Sequence, residues 1–186
     1  MEPVFTLPYS EFAVVQELCR YLKKEDGFSA YVPLSRQQKG VDFLIHNQAT
    51  NKCARFQVKA SRSYEGYKND PYQYNLWFNN FIDKFSEGTC DFYCLFGLYS
   101  DYASSKRITG KKAFWHPLVL CLSDREMKPF LQSVKTKKEP KKPDKFFGSG
   151  FDEPSKVYAT RGFDPHNDVS TFLLASMVSG IREFFY

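Results

Sequence analysis

Residues 53–60 (Cys-Ala-Arg-Phe-Gln-Val-Lys-Ala) alternate without a break, with Ala54, Phe56, Val58 and Ala60 on one side and Arg55, Gln57 and Lys59 on the other. A period of two marks a half-buried strand, so Gln57 and Lys59 are expected to point the same way. A second apolar run, Phe43-Leu44-Ile45, follows Gly40-Val41-Asp42, and the polar residues 46–52 between the two runs read as a hairpin turn. Pairing these strands brings Asp42 near Gln57 and Lys59. Upstream, Phe12, Val14, Val15, Leu18, Cys19 and Leu22 recur at helical spacing between Ser10, the expected N-cap, and Gly27, the expected stop. Glu11 falls near the middle of that stripe, where an acid wants a partner. Further strands are expected over 29–34, 91–98 and 114–119. A final helix, capped by Asn167 or Asp168, carries Val169, Phe172, Leu173, Leu174, Met177, Val178, Ile181, Phe184 and Phe185. That stripe is too wide to stay wet, so it either packs on the sheet or forms part of a dimer face.

One carboxylate, one amide and one lysine gathered on neighbouring strands suit phosphodiester hydrolysis. A hard cation such as Mg²⁺ is commonly held by one or two carboxylates, waters and the substrate's own phosphates. Asp42 supplies a carboxylate, Gln57 an amide oxygen, and Val58 a backbone carbonyl. Lys59 can orient the attacking water and balance developing charge. The bland alternative is a surface hairpin with scattered polar residues, and for Glu11 a first-turn carboxylate favoured by the helix dipole.

The series Ser-Glu-Phe-Ala-Val-Val-Gln-Glu-Leu at 10–18, then Gly27, Pro33, Gly40-Val41-Asp42 and Phe56-Gln57-Val58-Lys59-Ala60-Ser61-Arg62, resembles the core of the PD-(D/E)XK nuclease superfamily. It is nearest to bacterial domains of unknown function with a Gln-x-Lys signature. The resemblance covers about the first third of the chain. It implies an α/β fold of restriction-endonuclease-like type, a mixed central sheet flanked by helices. It also implies a site built from Glu11, Asp42, Gln57 and Lys59, with Mg²⁺ or Mn²⁺ held by Asp42, Gln57, the Val58 carbonyl and Glu11. The chain departs from the common pattern twice: Gln57 stands where an acid is usual, and Gly40-Val41 replaces the proline before Asp42.

Composition agrees. With 186 residues, 42% hydrophobic and 18% aromatic, the chain has ample core for one domain. Its organisation reads as a nuclease-like core over 1–134, a basic flexible loop over 135–150, and a C-terminal segment over 151–186 with a helix. A net charge of +5 suits a polyanionic partner. Arg62 and Lys68 among tyrosines, Lys106 and Arg107 in a loop, and Lys137, Lys138, Lys141 and Lys142 in the Pro- and Lys-rich stretch are the candidate nucleic-acid contacts. Five cysteines, an odd number without metal-finger spacing, read as reduced thiols. With neither a membrane-spanning run nor a targeting signal, the expected setting is cytoplasmic. The expected function is metal-dependent cleavage of nucleic acid, most readily DNA; the alternative is a catalytically inactive nuclease-fold module that binds nucleic acid or a protein.

Overall fold

The computed structural model describes residues 9–33, 40–66, 68–79, 81–100, 115–133, 146–160 and 167–186. Within them the chain is a mixed α/β protein with nine strands and three α-helices. The elements are α1 (Tyr9–Cys19), β1 (Phe28–Tyr31), β2 (Phe43–Asn47), β3 (Lys52–Glu65), β4 (Tyr74–Asn79), β5 (Phe92–Ser100), β6 (Trp115–Ser123), α2 (Asp124–Gln132), β7 (Phe146–Phe151), β8 (Tyr158–Ala159), β9 (Asn167–Asp168) and α3 (Leu174–Phe184).

The long strand β3 belongs to two sheets. Its residues 52–56 pair antiparallel with β2 and residues 56–62 parallel with β5, giving a mixed sheet ordered β1-β2-β3-β5-β6. Its far end pairs antiparallel with β4, which leads on to β7, β8 and β9 in a second, wholly antiparallel sheet. Strand alternation then assigns the two faces of the mixed sheet. Phe56, Val58, Phe92, Cys94 and Phe96 pack with Ala13, Val14 and Leu18 of α1 and with Leu174 and Ile181 of α3. On the other face Tyr93 and Leu95 pack with Leu76 and Phe78 of β4, Phe147 and Phe151 of β7, and Met127, Phe130 and Leu131 of α2. The order of layers is therefore helices, mixed sheet, then second sheet with α2. Helices flank one face of the mixed sheet, while most of the other face lies under β-structure.

Several boundaries differ from the sequence reading for local reasons. Ser10 lies inside α1 rather than capping it. The buried stripe of α1 is Ala13, Val14 and Leu18, leaving Phe12 and Cys19 exposed. Gly27 stops a separate 3₁₀ turn (Lys24–Asp26) with φ of 84°. Neither Asn167 nor Asp168 caps α3. Both are in β9, and Asp168 instead accepts from the Ser170 N–H at 2.9 Å. The largest difference is at 146–150, expected as part of the basic loop; these residues begin β7, a nearly fully buried strand. Helix α2 was not foreseen, although Ser123 and Glu126 form a capping box in which the Glu126 carboxylate accepts the Ser123 N–H at 2.7 Å. All five cysteines are free; Cys19 and Cys53 are exposed and the other three buried. Among the described residues, no helix is long and apolar enough to cross a membrane.

Candidate functional site

The pairing of β2 with β3 sets Phe43 against Phe56, which carries Asp42 to the level of Gln57 just before β2 begins. The Asp42 N–H donates to the Phe56 carbonyl at 2.8 Å. Its carboxylate accepts the Val58 N–H at 2.6 Å, so a side-chain oxygen takes over the ladder where the backbone of β2 has turned away. A strand residue's N–H and C=O point toward the same neighbour, so the Val58 carbonyl also faces the edge where Asp42 stands. The alternation of β3 leaves Gln57 and Lys59 half-buried on the face opposite Phe56 and Val58.

Gly40 sets the approach of Asp42 to the sheet. Its φ is 87°, and an added Cβ would collide with the Thr89 side chain and lie 3.7 Å from Gln57 Nε2. The Gly40 carbonyl accepts from the Cys90 thiol at 3.2 Å. Burial pushes that thiol up to about 12, and the nearby Asp42 carboxylate adds to the rise, so Cys90 remains a protonated donor at neutral pH. Thr89 and Cys90 thus buttress the turn that delivers Asp42, a role with no signal in the local sequence. Gly40→Ala is expected to cost about 1–3 kcal/mol, because a Cβ strains a backbone at this φ. A lowered urea midpoint with an unchanged m-value is the check.

Lys59 Nζ stands 5.3 Å from the centroid of the Phe81 ring, whose burial is nearly complete. This cation–π contact holds the Lys59 ammonium over the ring. Four residues earlier on the same face, Arg55 makes a two-point ion pair with Asp91, at 3.1 Å from Nε and 3.0 Å from Nη2, and its backbone N–H reaches the same carboxylate at 2.7 Å. These bonds pin the start of β5 to β3 and hold the Arg55 guanidinium above its ordinary range, chiefly through the hydrogen bond to Asp91.

The structure therefore brings together Asp42, Gln57 and the Val58 backbone, with Lys59 two residues along the same face as Gln57. Glu11 arrives differently. It lies half-buried in the first turn of α1, and α1 packs on the Phe56–Val58 face, so Glu11 and Gln57 belong to opposite sides of the mixed sheet. No protein-family model, curated protein or solved structure matches this chain.

Among the described residues, no three His, Cys, Asp or Glu side chains converge as ligands of one ion. The oxygen donors at the β2–β3 edge nevertheless fit a hard divalent cation in kind: one carboxylate, one amide and one carbonyl, leaving other positions to water and phosphate. They lack the His and Cys ligands of structural zinc sites. Arg62 and Lys68 are exposed. Lys106, Arg107, Lys137, Lys138, Lys141 and Lys142 lie outside the described residues.

Proposed function

We propose that the chain is a metal-dependent nuclease of restriction-endonuclease-like type, acting on the phosphodiester bonds of nucleic acid, most readily DNA. The observation that carries this reading is the placement of Asp42, whose carboxylate is held against β3 at Val58, level with Gln57 and beside the strand that bears Lys59. Asp42, Gln57 and the Val58 carbonyl would hold Mg²⁺ or Mn²⁺, which would neutralise charge developing on phosphate oxygens. Lys59, held over the Phe81 ring, would orient the attacking water. A net charge of +5 favours the polyanionic substrate. Nicking of supercoiled plasmid in Mn²⁺, absent in chelator, tests the reading directly.

A second reading, a nuclease-fold module that binds nucleic acid without cutting it, is favoured by one observation: among the described residues no three His, Cys, Asp or Glu side chains converge on one ion. Such a module would retain DNA equally well in chelator and in Mn²⁺.

Gln57→Glu tests the ligand set on which the first reading stands. Adding a charge to the ligand set is expected to tighten Mn²⁺ binding by about tenfold, read by calorimetry. Unchanged affinity would remove Gln57 from the ligand set.

A further inference from the structure

The five cysteines, all among the described residues, are not alike. Cys19 and Cys53 are exposed, and the Cys90 thiol donates to the Gly40 carbonyl. Cys94 and Cys121 are the pair that the fold brings together. They sit directly opposite each other on the antiparallel strands β5 and β6, both fully buried, with their Sγ atoms 3.9 Å apart. Both belong to the helix-covered face of the mixed sheet, with Phe92, Phe96 and Val119 under α1 and α3.

A single buried thiol packs as a small apolar group and needs no other role. Two facing thiols can form a bond. Residues opposed across an antiparallel ladder have Cα atoms about 4.5–5.5 Å apart, inside the roughly 4.4–6.8 Å that a disulfide spans. Their Cβ atoms, about 4.5–5.5 Å apart in such pairs, lie within roughly 1 Å of what the bond requires. Side-chain rotation with a small approach of the strands therefore closes it. What the folded state lacks is access and charge. Contact with Cys121 and burial raise the Cys94 thiol well above its ordinary value, so thiolate is scarce there. Exchange must start from a chain in which β6, the last strand on its side of the mixed sheet, has come away from β5.

We propose that Cys94 and Cys121 are a latent disulfide, formed by exchange with a low-molecular-weight disulfide such as oxidised glutathione while β5 and β6 are apart, and then enclosed by the folded sheet. One cysteine thiolate attacks the glutathione disulfide and releases one glutathione thiolate. The second cysteine thiolate attacks the protein sulfur of that mixed disulfide and releases the other. Two protein thiols are oxidised to one disulfide, oxidised glutathione is reduced to two thiols, and the two protons pass to the departing thiolates. The bond fastens the edge strand β6 to β5, closes the chain between residues 94 and 121, and takes conformational freedom from the unfolded state. Neither metal nor nucleic acid takes part, so the step is independent of the function proposed above.

For the test, the whole protein, reduced and unfolded in urea, is refolded in a mixture of reduced and oxidised glutathione, quenched with acid and mapped by mass spectrometry without reduction. The expected result is one dominant linked pair of peptides joining Cys94 to Cys121, lighter than the reduced peptides by two hydrogens. Folded, reduced protein in the same buffer should acquire the bond at least about tenfold more slowly, since it must first open. The bonded form should melt roughly 5 °C above the reduced form. Cys94→Ala and Cys121→Ala should each erase that difference, and if either variant does not fold, the map of the unaltered chain decides. Absence of the link, links to Cys19, Cys53 or Cys90 in equal yield, equally fast bonding of the folded protein, or a bonded form that melts below the reduced one would each overturn the proposal.

Discussion

Asp42→Asn is expected to lower Mn²⁺-dependent cleavage by at least about 10³-fold, equivalent to roughly 4 kcal/mol of transition-state stabilisation. The change removes the charge that holds the cation but leaves a side-chain oxygen able to accept the Val58 N–H. Folding should therefore be nearly unaffected. Asp42→Ala is the instructive contrast, because it also leaves that N–H without its acceptor, at a cost of about 1–3 kcal/mol. Plasmid nicking and thermal denaturation of the two variants together separate chemistry from structure. Cleavage by Asp42→Asn at the wild-type rate would end the assignment of Asp42 as metal ligand.

Phe56→Ala is expected to produce the largest loss of stability. Phe56 is fully buried in the centre of a row across three strands, stacked on Phe43 at 4.9 Å and 8° and on Phe92 at 5.1 Å and 21°. Truncation removes the buried ring and leaves a cavity under α1, which costs about 3–5 kcal/mol and lowers Tm by roughly 10 °C in a chain of this size. Phe184→Ala, at a ring 39% exposed, should cost much less. Equal melting shifts for the two would mean that the Phe43–Phe56–Phe92 row does not anchor the sheet.

The contrast between these positions follows from β3 itself. Ala54, Phe56 and Val58 supply the surface that α1 covers, while Gln57 and Lys59 on the reverse are polar enough to remain half-buried at the margin of the inter-sheet core. One strand thus provides structure on one face and candidate chemistry on the other. The elements that aim the site, Gly40, Thr89, Cys90 and Phe81, come from three stretches that β2 and β3 do not include.

By itself the sequence determined what depends on short-range periodicity. Alternation over 53–60 marks β3, and the nearby run after Asp42 pairs with it as a hairpin, so Asp42 near Gln57 was legible from the spacing, whereas the bond from the Val58 N–H was not. Helices α1 and α3 were legible from their apolar spacing, though their ends were not, since caps depend on one or two residues. Long-range pairing was not legible. Strand β7 carries Gly148 and Gly150 because a Cβ would meet the Trp77 ring at 2.5 Å in one case and collide with the Tyr72 ring in the other, and locally those glycines read as loop. Nor could helical spacing say on which side of the sheet α1 would settle. That choice went to the apolar face of β3, because burying Phe56 and Val58 under Ala13, Val14 and Leu18 removes more apolar surface from water than covering Gln57 and Lys59 would, and it put Glu11 across the sheet from them.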